Sequence, residues 1–240
     1  MGSREDLIYF IENNEKKSDL SDEEAYKEMR KRLESIFNCR VIVRHYSRCS
    51  LEEVERLKPL AIVLGGSGTP WEKFITRDWS REFEIIKKAK VPILGICGGH
   101  QIIGMAYHEP NRKLGCSPIR RLREGEEDRD KGTHMEGYFV EKGYLPVKVL
   151  KRDDPLFEGL NETIIVDEGH YCEIKKLPAE FELLASTDEC KIQAMRHKSR
   201  PVYGVQFHPQ IFDDEHPDGK RIIENFLKIA RRWRESHPIK

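Results

Sequence analysis

The sequence predicts an α/β fold: a single open, mainly parallel sheet with helices on both faces and a few antiparallel strands in the C-terminal half. Three observations carry this expectation. Up to Cys97, short and almost continuously apolar runs alternate with segments of helical periodicity, the pattern of a parallel sheet buried on both faces. Beyond Gly137 the pattern changes to short strands in close succession, several of which should pair antiparallel. The chain then closes on an amphipathic helix that opens near Asp218 and Gly219.

Taken in order, Asp6-Leu7-Ile8-Tyr9-Phe10-Ile11 reads as the first strand. Ser21 followed by Glu24 is a capping box, and the helix it opens carries the apolar stripe Ala25, Met29, Leu33, Ile36 and Phe37. Arg40 to Arg44 is a second strand. Ser50 with Glu53 caps a short helix that must stop before Pro59, because a proline pushes the preceding residue out of the helical region. Leu60 to Leu64 is a third, wholly apolar strand, and a helix through Phe83, Ile86 and Ala89 leads into the strand before Cys97. A further helix, starting near Gly98, runs to Tyr107.

Arg120 to Lys131 is charged except for Leu122 and Gly125, and reads as a solvated loop. The short strands expected after it are Gly137 to Val140, Leu145 to Leu150, Thr163 to Val166, Phe181 to Ala185, Ile192 to Met195 and Val202 to Gln206. In the last helix Ile222, Ile223, Phe226, Leu227, Ala230 and Trp233 recur at helical spacing, so it should pack on the sheet. With no internal repeat and no dividing linker, residues 1–240 read as a single domain.

Composition narrows the function classes. Lys plus Arg and Asp plus Glu are both 42, so no basic excess draws nucleic acid or an anionic membrane. The apolar runs fall far short of the roughly 20 residues of a membrane span, and Met1-Gly2-Ser3-Arg4-Glu5-Asp6 opens no secretory signal. Six cysteines (Cys39, Cys49, Cys97, Cys116, Cys172 and Cys190) lie scattered without a Cys-x-x-Cys pair, which signals neither a zinc site nor a disulfide framework. A soluble, cytoplasmic protein with reduced thiols is expected, with no metal, cofactor, nucleic-acid or membrane partner.

The stretch Val91-Pro92-Ile93-Leu94-Gly95-Ile96-Cys97-Gly98-Gly99-His100-Gln101 has the order of a nucleophile elbow. An apolar strand must reverse sharply into a helix, and glycines beside the turning residue relieve the crowding while its side chain points outward. At that place the positive helix end should favour a Cys97 thiolate over a free thiol, whose pKa is about 8.5. The alternative is a small buried cysteine beside a glycine turn. A nucleophile needs a base and an oxyanion hole. His208 is the base candidate, because the strand Val202 to Gln206 runs out into a His-Pro turn, and strand ends are where sites assemble in open sheets. Gly65-Gly66-Ser67-Gly68, directly after the third strand, could turn backbone N–H groups onto a developing negative charge. It lacks the Gly-Lys-Ser/Thr of a phosphate-binding loop.

Together these stretches resemble a class I, triad-type glutamine amidotransferase domain. Leu94-Gly95-Ile96-Cys97-Gly98-Gly99-His100-Gln101 resembles the family's nucleophile motif, Gly204-Val205-Gln206-Phe207-His208-Pro209 its histidine motif, and Leu64 to Gly68 its oxyanion loop. Asp167-Glu168-Gly169-His170, followed by Leu177-Pro178, resembles the segment that helps hold bound glutamine, and Gly219 to Phe226 the closing helix. The resemblance runs from about Ala61 to the C-terminus. It implies hydrolysis of the glutamine side-chain amide through a γ-glutamyl thioester on Cys97, with His208 as base. Backbone N–H groups near Gly66 and Cys97 or Gly98 would hold the oxyanion, Gly68 would line the same site, and Gln101 and His170 would help bind glutamine. No synthase domain is visible in the sequence, so the resemblance implies that ammonia passes to a partner, a separate synthase subunit, or that there is none.

Two positions depart from the family pattern. Its histidine motif ends His-Pro-Glu, but here the third triad position is Gln210. An amide can orient the ring without supplying charge, and charge-assisted hydrogen bonds are roughly twice as strong as neutral ones. In a serine triad the corresponding exchange costs about 10⁴ in rate; a thiol depends less on its base, so about ten- to a thousandfold is expected. Asp213, Asp214 and Glu215 are the nearby acids that could supply the charge instead. Ser67 stands where the family commonly has proline. Two alternatives therefore stay open: a hydrolase of γ-glutamyl peptides or amides, and an amidotransferase-like binding protein with weakened catalysis.

Overall fold

The computed structural model describes residues 6–15, 20–68, 70 and 78–238. The opening Met1 to Glu5 lies outside them. In chain order the elements are β1 (Leu7–Glu12), α1 (Asp22–Ala25), α2 (Lys27–Phe37), β2 (Arg40–His45), α3 (Leu51–Leu57), β3 (Ala61–Leu64), α4 (Ser80–Lys88), β4 (Ile93–Ile96) and α5 (Gly98–Tyr107). There follow β5 (Ser117–Pro118), β6 (Glu141–Val149), β7 (Thr163–His170), β8 (Cys172–Glu173), β9 (Phe181–Ser186), β10 (Ala194–His197), β11 (Val202–Val205) and α6 (Asp218–Ser236).

Among the described residues nine strands form one sheet in the order β2-β1-β3-β4-β11-β10-β9-β6-β7. The strands from β2 to β11 in that order are parallel, and those from β11 onward pair antiparallel. Alternation along the strands divides the core in two. Ile8 and Phe10 face a cluster with Leu33 and Phe37 of α2 and Ile222 and Phe226 of α6, whereas Tyr9 and Ile11 face one with Val54, Phe83, Ile86, Ile102 and Ile103 of α3, α4 and α5. The expected architecture, a mainly parallel sheet with both faces covered, is the observed one.

Local signals also act as expected. Ser21 accepts from Glu24 N–H while Glu24 reaches back to Ser21 N–H, and Ser50 accepts from Glu53 N–H. The first helix is broken at Tyr26 (φ −112°, ψ 18°), so its stripe is shared between α1 and α2. The structure departs from the sequence pattern at one expected strand. Residues 137–140 make only an isolated bridge, Arg121 to Tyr138, because Gly137 turns at φ +76° with its N–H on Asp128; the long strand starts at Glu141. The penultimate strand begins at Ala194 rather than Ile192. The charged run is a loop, pinned at Arg120, whose guanidinium binds both Glu126 and Glu189. No helix among the described residues is long and apolar enough to cross a membrane.

Candidate active site

Three neighbouring parallel strands deliver the site from their carboxyl ends. β3 runs into Gly65-Gly66-Ser67-Gly68, β4 ends at Cys97, and β11 leads through Gln206 and Phe207 to His208. A Cβ placed on Gly66 would lie 3.6 Å from Cys97 Cβ and 3.7 Å from His208 Cε1, so loop, thiol and ring share one space.

Cys97 has φ 51° and ψ −107°, a conformation that costs a non-glycine residue about 1–3 kcal/mol and persists only when its surroundings enforce it. The enforcement is visible. Its N–H binds Val205 O at 2.8 Å within the sheet, and its carbonyl accepts Gln101 N–H at 3.1 Å in the first turn of α5. That turn can press against the oxyanion loop only without side chains: a Cβ on Gly98 would sit 2.8 Å from Ser67 N, and one on Gly99 2.2 Å from Leu64 O. Since Cys97 N–H is engaged in the sheet, it is not a donor to the site. Gly68 N–H is engaged too, on Asn14 Oδ1 at 2.7 Å, while Asn13 Nδ2 holds Gly65 O at 3.0 Å. The loop is thus braced by two residues just after β1 to which no sequence motif assigns a role.

Gln210 Nε2 lies 3.0 Å from His208 Nδ1. The acids considered as substitutes are directed elsewhere. Asp213 Oδ1 contacts His216 Nδ1 at 2.9 Å and its N–H at 2.7 Å, and that ring stacks on Tyr144; Asp214 and Glu215 are exposed. His208 N–H binds Asp167 O at 2.7 Å, which ties the base to β7.

The remaining candidates form a buried polar layer behind the thiol. Gln101 Nε2 donates to Cys172 O at 2.8 Å and to Gln206 Oε1 at 3.0 Å, and Gln206 Nε2 is 3.8 Å from Cys97 Sγ. His170 is buried, with Nδ1 2.8 Å from Cys172 O and Nε2 between Glu141 Oε2 at 3.0 Å and Glu168 Oε2 at 3.1 Å. Its ring is therefore held by protein on both nitrogens. Glu141, His170 and Cys190 bring possible metal-ligand atoms within 4.8 Å of one another. The Glu141 carboxylate is already met by Thr187 Oγ1 at 2.7 Å and Gln193 Nε2 at 2.8 Å, so it serves a buried ion pair with His170.

Electrostatics corrects one expectation. Burial, reinforced by the nearby Glu168 charge, pushes the Cys97 thiol up to about 12, and the Gly98 N–H only partly opposes this. Desolvation outweighs the helix end, so the resting nucleophile is a thiol and not a thiolate. Burial also pulls His208 down to about 4, assisted by the positive His170, so the ring is neutral. His170 itself is pushed up to about 10, because the Glu141 and Glu168 carboxylates outweigh its desolvation.

Two cavities meet at Cys97. A larger one of about 390 Å³ is bordered by the oxyanion loop, His208, Gln210 and an apolar wall from β1 and α2. A smaller one of about 170 Å³ is bordered by Ser67, Gly68, Gly98, Gln101, His134 and His170. His134, given no role from sequence, packs edge-on against Tyr171 there.

Comparison with known proteins identifies the family. The family model of class-I glutamine amidotransferases matches residues 21–230. The chain belongs to the class-I glutamine amidotransferases. It is 35% identical over 180 residues to the glutamine-hydrolyzing GMP synthase subunit of Pyrococcus furiosus, covering 75% of this chain and 80% of that protein. The corresponding protein of Thermococcus kodakarensis, of the same name, is 36% identical over 180 residues, with coverage of 75% and 80%. Among solved structures, a putative GMP synthase subunit from Thermoplasma acidophilum superposes with a TM-score of 0.71 at 24% identity over 98% of both chains. A glutamine amidotransferase from Thermotoga maritima superposes with a TM-score of 0.55 at 17% identity, covering 99% of this chain and 87% of that one. These two likenesses concern the fold. As a class-I glutamine amidotransferase the protein is an enzyme of the glutamine-hydrolysing type.

Proposed function

We propose that Cys97 attacks the side-chain amide of glutamine, forms a γ-glutamyl thioester and releases ammonia to a separate synthase subunit. The observation that carries this reading is the convergence of the strained Cys97, the His208 ring and the Gly66 loop at three adjacent strand ends. His208 takes the thiol proton as sulfur bonds to the γ-carbon, and returns it to the departing nitrogen. With Cys97 and Gly68 N–H engaged, Gly98 and Gly66 are the donors proposed for the oxyanion, and Gly68 keeps the loop in place through Asn14. Gln101 and His134 border the smaller cavity proposed for the glutamyl group, and His170 supports its wall from behind. Gln210 orients the base without charge. Water then cleaves the thioester to glutamate.

The synthase partner is proposed because the curated relatives are each named as one subunit of a glutamine-hydrolyzing GMP synthase. The test is ammonia and glutamate formation from glutamine, by the chain alone and with the synthase subunit encoded by its source. Turnover that rises with that partner and vanishes in Cys97→Ala is expected. Turnover unaffected by Cys97→Ala, or absent in both settings, sinks the reading.

A further inference from the structure

The group that leaves Cys97 has a fixed side of the site. The nitrogen departing from the γ-carbonyl must take up the proton that the imidazole removed from the thiol, so it leaves toward His208. His208 and Gln210 border the larger cavity and not the smaller one. That cavity holds about 390 Å³. Departing ammonia needs no more room than a water, about 30 Å³.

The surplus space has a definite character. Beyond His208 most of its wall is apolar, from Phe10, Met29, Leu33, Ile36, Phe37 and Ile211, and Glu12, Asn14 and Arg32 contribute the polar remainder. Met29 and Ile36 are half-buried and Ile211 is 37% exposed, so apolar surface remains open to an occupant. Resting on the assignment of Cys97 and His208 made above, we infer that the enzyme also hydrolyses γ-glutamyl amides whose amine carries an apolar substituent. The glutamyl part takes the smaller cavity and the substituent the larger.

The chemistry balances without any further reactant. Sulfur bonds to the γ-carbon, the C–N bond breaks, and the thiol proton passes through His208 to the nitrogen, releasing a neutral amine. Water adds to the thioester, the C–S bond breaks, and glutamate leaves with the thiol restored.

The experiment measures amine release by the full chain from γ-glutamyl methylamide, propylamide and butylamide, beside ammonia release from glutamine. The amines differ little in basicity, so the series varies the cavity's occupant and not the leaving-group chemistry. We expect kcat/KM to rise about tenfold or more from methyl to butyl, as each buried methylene strengthens binding. Met29→Trp, which fills the cavity from its α2 wall, should lower the butylamide value about tenfold and leave glutamine hydrolysis within about twofold. If glutamine is hydrolysed while the amides are not, or while kcat/KM is flat or falls with chain length, the inference is overturned and the cavity serves ammonia alone. If neither glutamine nor the amides acylate the protein, with or without the synthase subunit, the assignment of Cys97 and His208 fails with it.

Discussion

The amide nitrogen of Gln210 stands 3.0 Å from Nδ1 of His208, and the buried amide oxygen has no donor among the described residues. The orientation of this amide selects the tautomer of the base. An amide N–H donated to Nδ1 puts the ring proton on Nε2, where a base needs its lone pair. A half-turn of the amide reverses this: Oε1 accepts from Nδ1–H, the orphaned oxygen gains a donor, and Nε2 is freed to take the thiol proton.

A carboxylate can only accept, so Gln210→Glu should hold the ring in the reactive tautomer and stabilise the imidazolium. The acylation burst with glutamine should rise about tenfold or more, since one charge-assisted hydrogen bond contributes about 1.5 kcal/mol or more. The low pKa of His208 should rise in the same variant. Rapid-quench acylation between pH 4 and 8 reads both effects. An unchanged burst would mean that the amide is not limiting.

The neutral resting pair makes a second prediction. With the thiol pushed up to about 12 by burial and the Glu168 charge, the rate of Cys97 alkylation in the free enzyme should keep climbing above pH 9. A preformed thiolate paired with an imidazolium would instead give a plateau near neutrality. Iodoacetamide labelling across pH 6 to 10, followed on the Cys97 peptide, distinguishes the two.

His170 links the site to stability. Its pKa in the folded protein, about 10, exceeds the ordinary 6.5 or so, since Glu141 and Glu168 outweigh the cost of burial. The folded state therefore holds the proton more tightly. The stabilisation is fully present below about pH 6.5 and is lost as pH rises toward 10. His170→Gln should remove that dependence and destabilise the fold by about 3–5 kcal/mol, because two buried carboxylates lose their cation. Urea unfolding at pH 6 and pH 9.5 measures both; a variant with wild-type pH dependence would contradict the pairing.

Asn14→Ala should leave the global stability within about 1 kcal/mol while lowering kcat about tenfold, because it frees Gly68 N–H and loosens the Gly66 loop. Ammonia release and thermal melting of one preparation check this. A change in KM alone would assign Asn14 to substrate binding.

How much of this is legible in the sequence follows from the range of each interaction. The capping residues Ser21 and Ser50, the apolar strands and the turn at Cys97 are local, and each is readable from neighbours in sequence. His208 stands out because its strand ends as abruptly as the one before Cys97. The bracing of Gly68 by Asn14 spans 54 positions, and His170 meets Glu141 across an antiparallel strand pair, so neither leaves a local signature. The start of β6 differs from the sequence pattern because Gly137 sits in strand-like composition but takes φ +76°. The thiol's pKa moves opposite to the direction expected from sequence because a helix end is visible there, whereas burial beside Glu168 exists only in the fold.

The central claim is that Cys97 is the acylated residue. A glutamine analogue bearing a γ-positioned electrophile should add once per chain and map by mass spectrometry to the peptide containing Cys97. Excess glutamine should protect against the addition, and Cys97→Ser should abolish it. Label on Cys172 or Cys190, or no label at saturating reagent, would contradict the account.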